Sequence, residues 1–292
     1  MRFRPLLAAL LSLCAALPAL PAFPTLLPAQ SRAELEKVIR RRVLANGLEV
    51  IVVENHGVPI ATVEIDVKNG AFTQPPDYAG LAHMYEHMFF KASREFPAPE
   101  QFIQRASELG AVFNGTTGEE RGYYMTLPSD SVATAMRAMA SALRYPLFRP
   151  DELAREKEVV LGEYDRQEAS PGFAFDNEMK QRLYPGQFSR KNTIGDRQVL
   201  RTVTPEKMRE IQRRYYVPNN TALIVTGDVT PDSVFAWAER WYGDWARGAD
   251  PFAEAPIPPI PALATDAGVI GEAPVSAVTL VINWQGPSVR KD

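Results

Sequence analysis

Of three histidines in 292 residues, two stand four apart in the stretch GLAHMYEHMFFKAS (residues 80–93), as His83 and His87, with Glu86 directly before the second. No other feature restricts the fold as tightly. On a helix, positions i and i+4 share a face and i+3 lies beside them. His83 and His87 can then present two imidazoles to one cation, with Glu86 a step to the side. Zinc in a catalytic site takes three protein ligands and keeps a fourth position open. The fold must therefore carry a third donor to this helix from elsewhere in the chain. Residue frequencies alone give such a motif about 0.002 times in a chain like this one. His56, in a turn beside Gly57, reads instead as a structural or merely exposed histidine.

The third donor cannot be a thiolate, because the one cysteine, Cys14, lies in a segment expected to be removed. It must be a carboxylate. The stretch REKEVVLGEYDR holds Glu156 and Glu163 seven apart, two helical turns along and on nearly the same face. A Glu-rich helix is ordinarily a solvated face. Beside two histidines that need a partner, this one becomes the candidate, and spacing alone does not choose between its acids.

Arg2 and Arg4 precede the apolar run PLLAALLSLCAALPAL, followed by small and proline-rich sequence. That is the layout of a secretory signal, expected over 1–29 with cleavage near 22 or 29. The run is short and broken by proline, so no integral membrane segment is expected in the mature chain. The net charge of −3 gives no reason to expect nucleic acid as a partner. An exported chain, periplasmic or secreted, is the reading.

Along the chain, Asn46-Gly47 between apolar segments signals a two-residue hairpin. Val63, Ile65 and Val67 alternate with polar residues, as in a strand with one wet face. A helix is expected from about Asp77 to Ala92. A second should start at Pro99, with Phe102, Ile103, Ala106 and Leu109 on one stripe and Gly110 as its stop. AVFNGTT and GYYMTLP read as short strands, the first Gly-containing and flanked by turns, as suits an edge. Ser129 or Asp130 can cap a helix striped by Val132, Met136, Met139, Ala140 and Leu143. A charged helix follows from Asp151 to Gln167. Thr204-Pro205 and Thr230-Pro231 look like caps with first-turn prolines, and TALIVTGD between them is a buried-type strand. These elements alternate strands and helices with hairpins included, which predicts a mixed sandwich of strands and helices and not a purely parallel sheet. The prolines of 250–264 suit an extended linker. Residues 265–292 read as the first strands of a second domain that is only begun.

The segments NGLEVIVVEN, GLAHMYEHMFFKAS, FNGTTGEERGYY, REKEVVLGEYDR and YYVPNNTALIVTGDV together resemble the pitrilysin or insulinase-like zinc metallopeptidases, in their order, and most of all the small bacterial and mitochondrial-processing-type members. The resemblance spans about residues 38–249 and implies an α+β catalytic domain there, a mixed, largely antiparallel sheet packed with helices in two layers, with one zinc ion per catalytic domain bound by His83, His87 and Glu163. It makes Glu86 the general base and Glu156 a supporting carboxylate that does not ligate. Phe113, Asn114 and Gly115 would lie on the edge strand that receives an extended peptide substrate by β-augmentation. A second homologous domain or subunit would be the partner. Some positions depart from the family pattern: NGAFTQPP stands where Gly-Ser and a following Glu are usual, FKAS replaces Phe-Lys-Gly-Thr, and Gly115 and Gly122 replace Ala and Thr. The implied activity is a zinc-dependent endopeptidase for unfolded peptides. A non-catalytic assembly subunit is the alternative, and the intact His-x-x-Glu-His argues against it. S-ribosylhomocysteine cleavage also uses an inverted histidine motif, but it expects a cysteine that the mature chain lacks.

Overall fold

The alternating strand pattern at 63–67 finds its place in the middle of a six-stranded sheet. The fold is described by a computed structural model over residues 36–118 and 121–286. The expected signal segment, the residues at 119 and 120 and the last six residues lie outside the described part.

In chain order the elements are β1 (Ile39–Val43), β2 (Glu49–Glu54), β3 (Ile60–Val67), α1 (Leu81–Phe89), α2 (Gln101–Glu108), β4 (Val112–Thr117) and β5 (Arg121–Pro128). Then come α3 (Val132–Arg144), α4 (Pro150–Glu168), α5 (Phe173–Leu183), α6 (Arg197–Thr202), α7 (Pro205–Tyr215), β6 (Thr221–Gly227), α8 (Pro231–Tyr242) and α9 (Pro251–Glu254). The strands lie in the order β1-β2-β6-β3-β5-β4. Only β2 and β6 run parallel, so the sheet is mixed and largely antiparallel, as expected. Register explains the two layers. Ile65 pairs with Tyr123 on one side and Leu223 on the other, and Val63 pairs with Met125 and Val225. All six side chains point to one face and are buried there with Val50, Val52 and the inner stripes of the helices. The alternate residues, such as Thr62, Glu64 and Asp66, stay half-exposed on the open face.

Several boundaries differ from the sequence reading, each for a local reason. The first hairpin closes with three residues, Ala45-Asn46-Gly47, because the Leu44 amide already bonds the Leu48 carbonyl at 2.8 Å and Gly47 takes φ 94°. Asn46 is spent on anchoring: its Nδ2 donates to the Tyr242 and Trp245 carbonyls at 2.7 and 3.0 Å. The helix expected from 77 to 92 is only α1, since Pro76 opens a separate turn and Gly80 is left-handed at φ 92°. α2 starts at Gln101, two residues after Pro99, because Glu100 at φ 60° cannot be helical; Gly110 is left-handed and ends it as expected. Ser129 opens a 3-10 turn and caps nothing; its hydroxyl donates to Asp228. Thr204 caps α7, whereas the Thr230 hydroxyl donates to Ser233 instead. Four residues of the proline-rich stretch form α9, capped by Asp250. No strand forms within the described part of 265–292. That segment follows α5 instead: Gln285 donates to the Leu183 carbonyl at 2.8 Å and Arg182 to that of Gly268 at 3.0 Å.

His56 proves to be the exposed turn residue it was read as, with Nδ1 2.7 Å from Asp228. The carboxylate holds this imidazole above its ordinary 6.5, and the same contact holds Asp228 below its ordinary 3.8. The signs are opposite. The share of His56 in stability is complete below 6.5 and fades as pH rises through its raised value. That of Asp228 is present above 3.8 and fades as pH falls through its lowered value. In an NMR titration His56 should show a midpoint above 6.5 that drops in Asp228→Asn. An unchanged midpoint in the variant would refute the pairing.

Candidate metal centre

Helix α1 presents two faces. Met84, Tyr85, Met88 and Phe89 are buried beneath it. The Tyr85 ring stacks on Tyr216 at 3.9 Å and that of Phe89 on Tyr123 at 3.7 Å, which fixes the helix against the sheet side. By the i, i+3, i+4 rule His83, Glu86 and His87 are then left on the other side. α4 meets them there. Leu153 and Val160 anchor its inner stripe, and Glu152, Glu156 and Glu163 lie along the same side. The Glu152 carboxylate accepts from the Ala92 amide at 3.3 Å and so ties the chain leaving α1 to α4.

His83 Nε2, His87 Nε2 and a Glu163 oxygen converge, and among the described residues they form the one cluster of such donors able to hold a metal ion. His83 Nε2 lies 3.3 Å from His87 Nε2 and 3.3 Å from Glu163 Oε2, and His87 Nε2 lies 3.7 Å from Glu163 Oε2. Bonds of about 2.0–2.1 Å to a tetrahedral ion place its ligands about 3.3 Å apart. The spacing fits zinc. So does the donor set, two imidazoles and one carboxylate, which leaves one coordination position open.

The surrounding contacts orient the donors. Glu156 Oε2 lies 3.0 Å from His87 Nδ1, and its other oxygen is 2.6 Å from Lys91 Nζ. A proton held on Nδ1 leaves the Nε2 lone pair facing the cluster. Burial pushes the Glu156 carboxyl up, but the His87 and Lys91 contacts outweigh it and hold the group below the usual carboxylate range. Glu156 thus meets His87 Nδ1 and Lys91, while it is an oxygen of Glu163 that converges with the two histidine Nε2 atoms.

Glu86 lies between α1 and β4. The Thr117 hydroxyl donates to its Oε2, and a Cβ on Gly115 would come within 2.7 Å of its Cγ. Glycine at 115 thus lets the strand approach Glu86. Of the three edge-strand residues named from sequence, Gly115 alone touches the site. The Phe113 ring packs on Phe90 and Phe102, with centroids at 5.0 and 6.0 Å. Asn114 alternates to the open face of the sheet, where its Oδ1 accepts from the Gly115 amide at 2.9 Å. β4 is an edge of the described sheet, paired with β5 alone. Thr117 and Lys91 were missed from sequence. Thr117 follows Gly115 by two on a strand and so shares its face, which was the available signal.

An α+β domain whose one helix supplies an inverted His-x-x-Glu-His, and whose second helix supplies a glutamate at metal-ligand spacing, defines a zinc-type His₂Glu protein. Comparison with known proteins makes this specific. Residues 49–195 match the insulinase family (peptidase family M16), half of the chain, and residues 202–292 match the M16 inactive domain. The chain belongs to the M16 family. It is 27% identical over 206 residues to an uncharacterized zinc protease of Rickettsia felis, covering 70% of this chain and 50% of that protein. Over 213 residues it is 24% identical to the uncharacterized zinc protease YmxG of Bacillus subtilis, covering 72% and 52%. It thus spans about half the length of these relatives. The fold matches the first half of the periplasmic protease PqqL from Escherichia coli with a TM-score of 0.67 at 21% identity, covering 73% of this chain and 47% of that one. A protease from Helicobacter pylori matches at TM-score 0.69 and 22% identity, covering 76% and 53%. The border between the two family matches, 195 to 202, cuts the described sheet, because β6 lies beyond it. No described helix is long and apolar enough to cross a membrane.

Proposed function

We propose that this chain carries the catalytic domain of a zinc-dependent endopeptidase, exported from the cytoplasm, that cleaves extended peptides together with a second M16-type domain or subunit. The convergence of His83, His87 and Glu163 beside a positioned Glu86 carries this reading. Zinc, when bound, supplies Lewis-acid polarisation and lowers the pKa of water. Glu86 takes the proton of the attacking water on its carboxylate and returns it to the leaving amine. Thr117 and the bare backbone at Gly115 keep that carboxylate in place. The outer edge of β4 offers backbone groups along which an extended peptide can lie as an added strand. Export is supported by the basic and apolar start of the sequence, and pairing by the match of residues 202–292 to the M16 inactive domain.

The test is a purified chain assayed for zinc and for cleavage of unstructured peptides, alone and with the second half of a relative supplied in trans. The expected result is one zinc per chain, slow chelator-sensitive cleavage alone and faster cleavage in the mixture. Holding the peptide and excluding water both need surfaces beyond β4. A chain without zinc would refute the whole reading, and equal turnover with and without the second half would refute the pairing.

A further inference from the structure

We propose that Gln74 is the residue that positions the metal-bearing helix α1, and through it the ligand atoms of His83 and His87; this rests on the metal-centre reading above. The first amides of a helix have no acceptor within it, and a side chain at the N-cap ordinarily supplies one. At α1 the N-cap is Gly80, which has no side chain. No side chain could be placed there, because Gly195 crosses so closely that a Cβ on Gly80 would lie 2.8 Å from the Ile194 carbonyl oxygen.

Gln74 fills the gap from six residues upstream. It is 2% exposed, and its Oε1 accepts from the Gly80 and Ala82 amides at 2.9 and 3.0 Å. Its Nε2 reaches the carbonyls of Ser189 and Asn192 at 3.3 and 3.5 Å, and the Ser189 hydroxyl donates back to the Gln74 carbonyl at 2.8 Å. A neutral amide suits this place because it accepts on one side and donates on the other. One side chain thus joins the start of α1 to the loop before α6, and the last amide it holds belongs to the residue directly before His83. The Nε2 atoms of His83 and His87 stand 3.3 and 3.7 Å from Glu163 Oε2 on α4, so a shift of the α1 start relative to α4 changes the spacing of all three donors.

The test compares zinc affinity, by competition with a chromophoric chelator, and the visible spectrum of the cobalt-substituted chain. Both are measured at a temperature where circular dichroism shows each variant folded. Gln74→Ala should weaken zinc by about 10–100-fold, as removal of supporting contacts does at other sites, and should alter the cobalt bands. Ser189→Ala loosens the same network without touching the α1 amides, and should leave affinity and spectrum unchanged. Should Gln74→Ala not fold, Gln74→Asn decides, since its shorter side chain keeps the amide but not the reach. Parent-like affinity and spectrum in the Ala or Asn variant, or equal losses in Gln74→Ala and Ser189→Ala, would overturn the proposal. A parent chain that binds no zinc would instead overturn the reading beneath it.

Discussion

Glu86→Gln should keep its zinc and lose nearly all peptide hydrolysis, by about 10²–10⁴-fold, the usual worth of a positioned acid–base group. The substitution preserves size, and the amide oxygen can still accept the Thr117 hydroxyl that now meets Glu86. It removes only the ability to take a proton near neutral pH. His83, His87 and Glu163 remain, so metal content should not change. The comparison is best made with the second half present, where turnover is fastest. A variant that retains most of its turnover there would show that Glu86 is not the base.

Glu163→Gln should bind zinc at least about 100-fold more weakly, since loss of a ligand exceeds the 10–100-fold typical of a supporting partner. Two neutral imidazoles and an amide oxygen form a poor site for a dication, and the metal-bound state loses the one negative charge among its three donors. Glu156→Gln provides the contrast. Its carboxylate meets His87 Nδ1 and Lys91, not the convergent donor atoms, so its effect should be the smaller of the two. Metal analysis and competitive titration of both variants decide the matter. A greater loss in Glu156→Gln would exchange the two roles.

The metal centre was legible in the sequence to an unusual degree because a helix turns spacing directly into direction. Four residues put His83 beside His87, and seven put Glu163 on the side of Glu156. What spacing could not say was which acid of α4 would reach the histidines. That depends on the stacking of Tyr85 and Phe89, which sets how α1 faces α4. The edge strand was legible as an edge, but not in its parts. Half-buried Phe113 packs its ring on Phe90 and Phe102, contacts that its place in the sequence does not announce. Turn boundaries failed where a side chain had a distant partner: Asn46 serves Tyr242, Ser129 serves Asp228, and Gln74 serves the start of α1. No local propensity holds that information, because each partner lies elsewhere in the chain or, for Gln74, across a bend. The strands expected after residue 265 have their β-type composition, yet a strand exists only against a neighbour. Among the described residues these segments pair with no strand.

The place of β6 has a consequence for how the chain acquires its shape. It lies between β2 and β3, although about 150 residues of chain separate it from the latter. During synthesis both strands keep a raw hydrogen-bonding edge until β6, which ends at Gly227, has arrived. Without β6 the sheet falls into two parts, β1-β2 and β3-β5-β4, with nothing to join them. Such long-range closure makes folding slow and leaves sticky intermediates. The sheet on which the zinc ligands rest is therefore closed by one of the last pieces of the domain to appear.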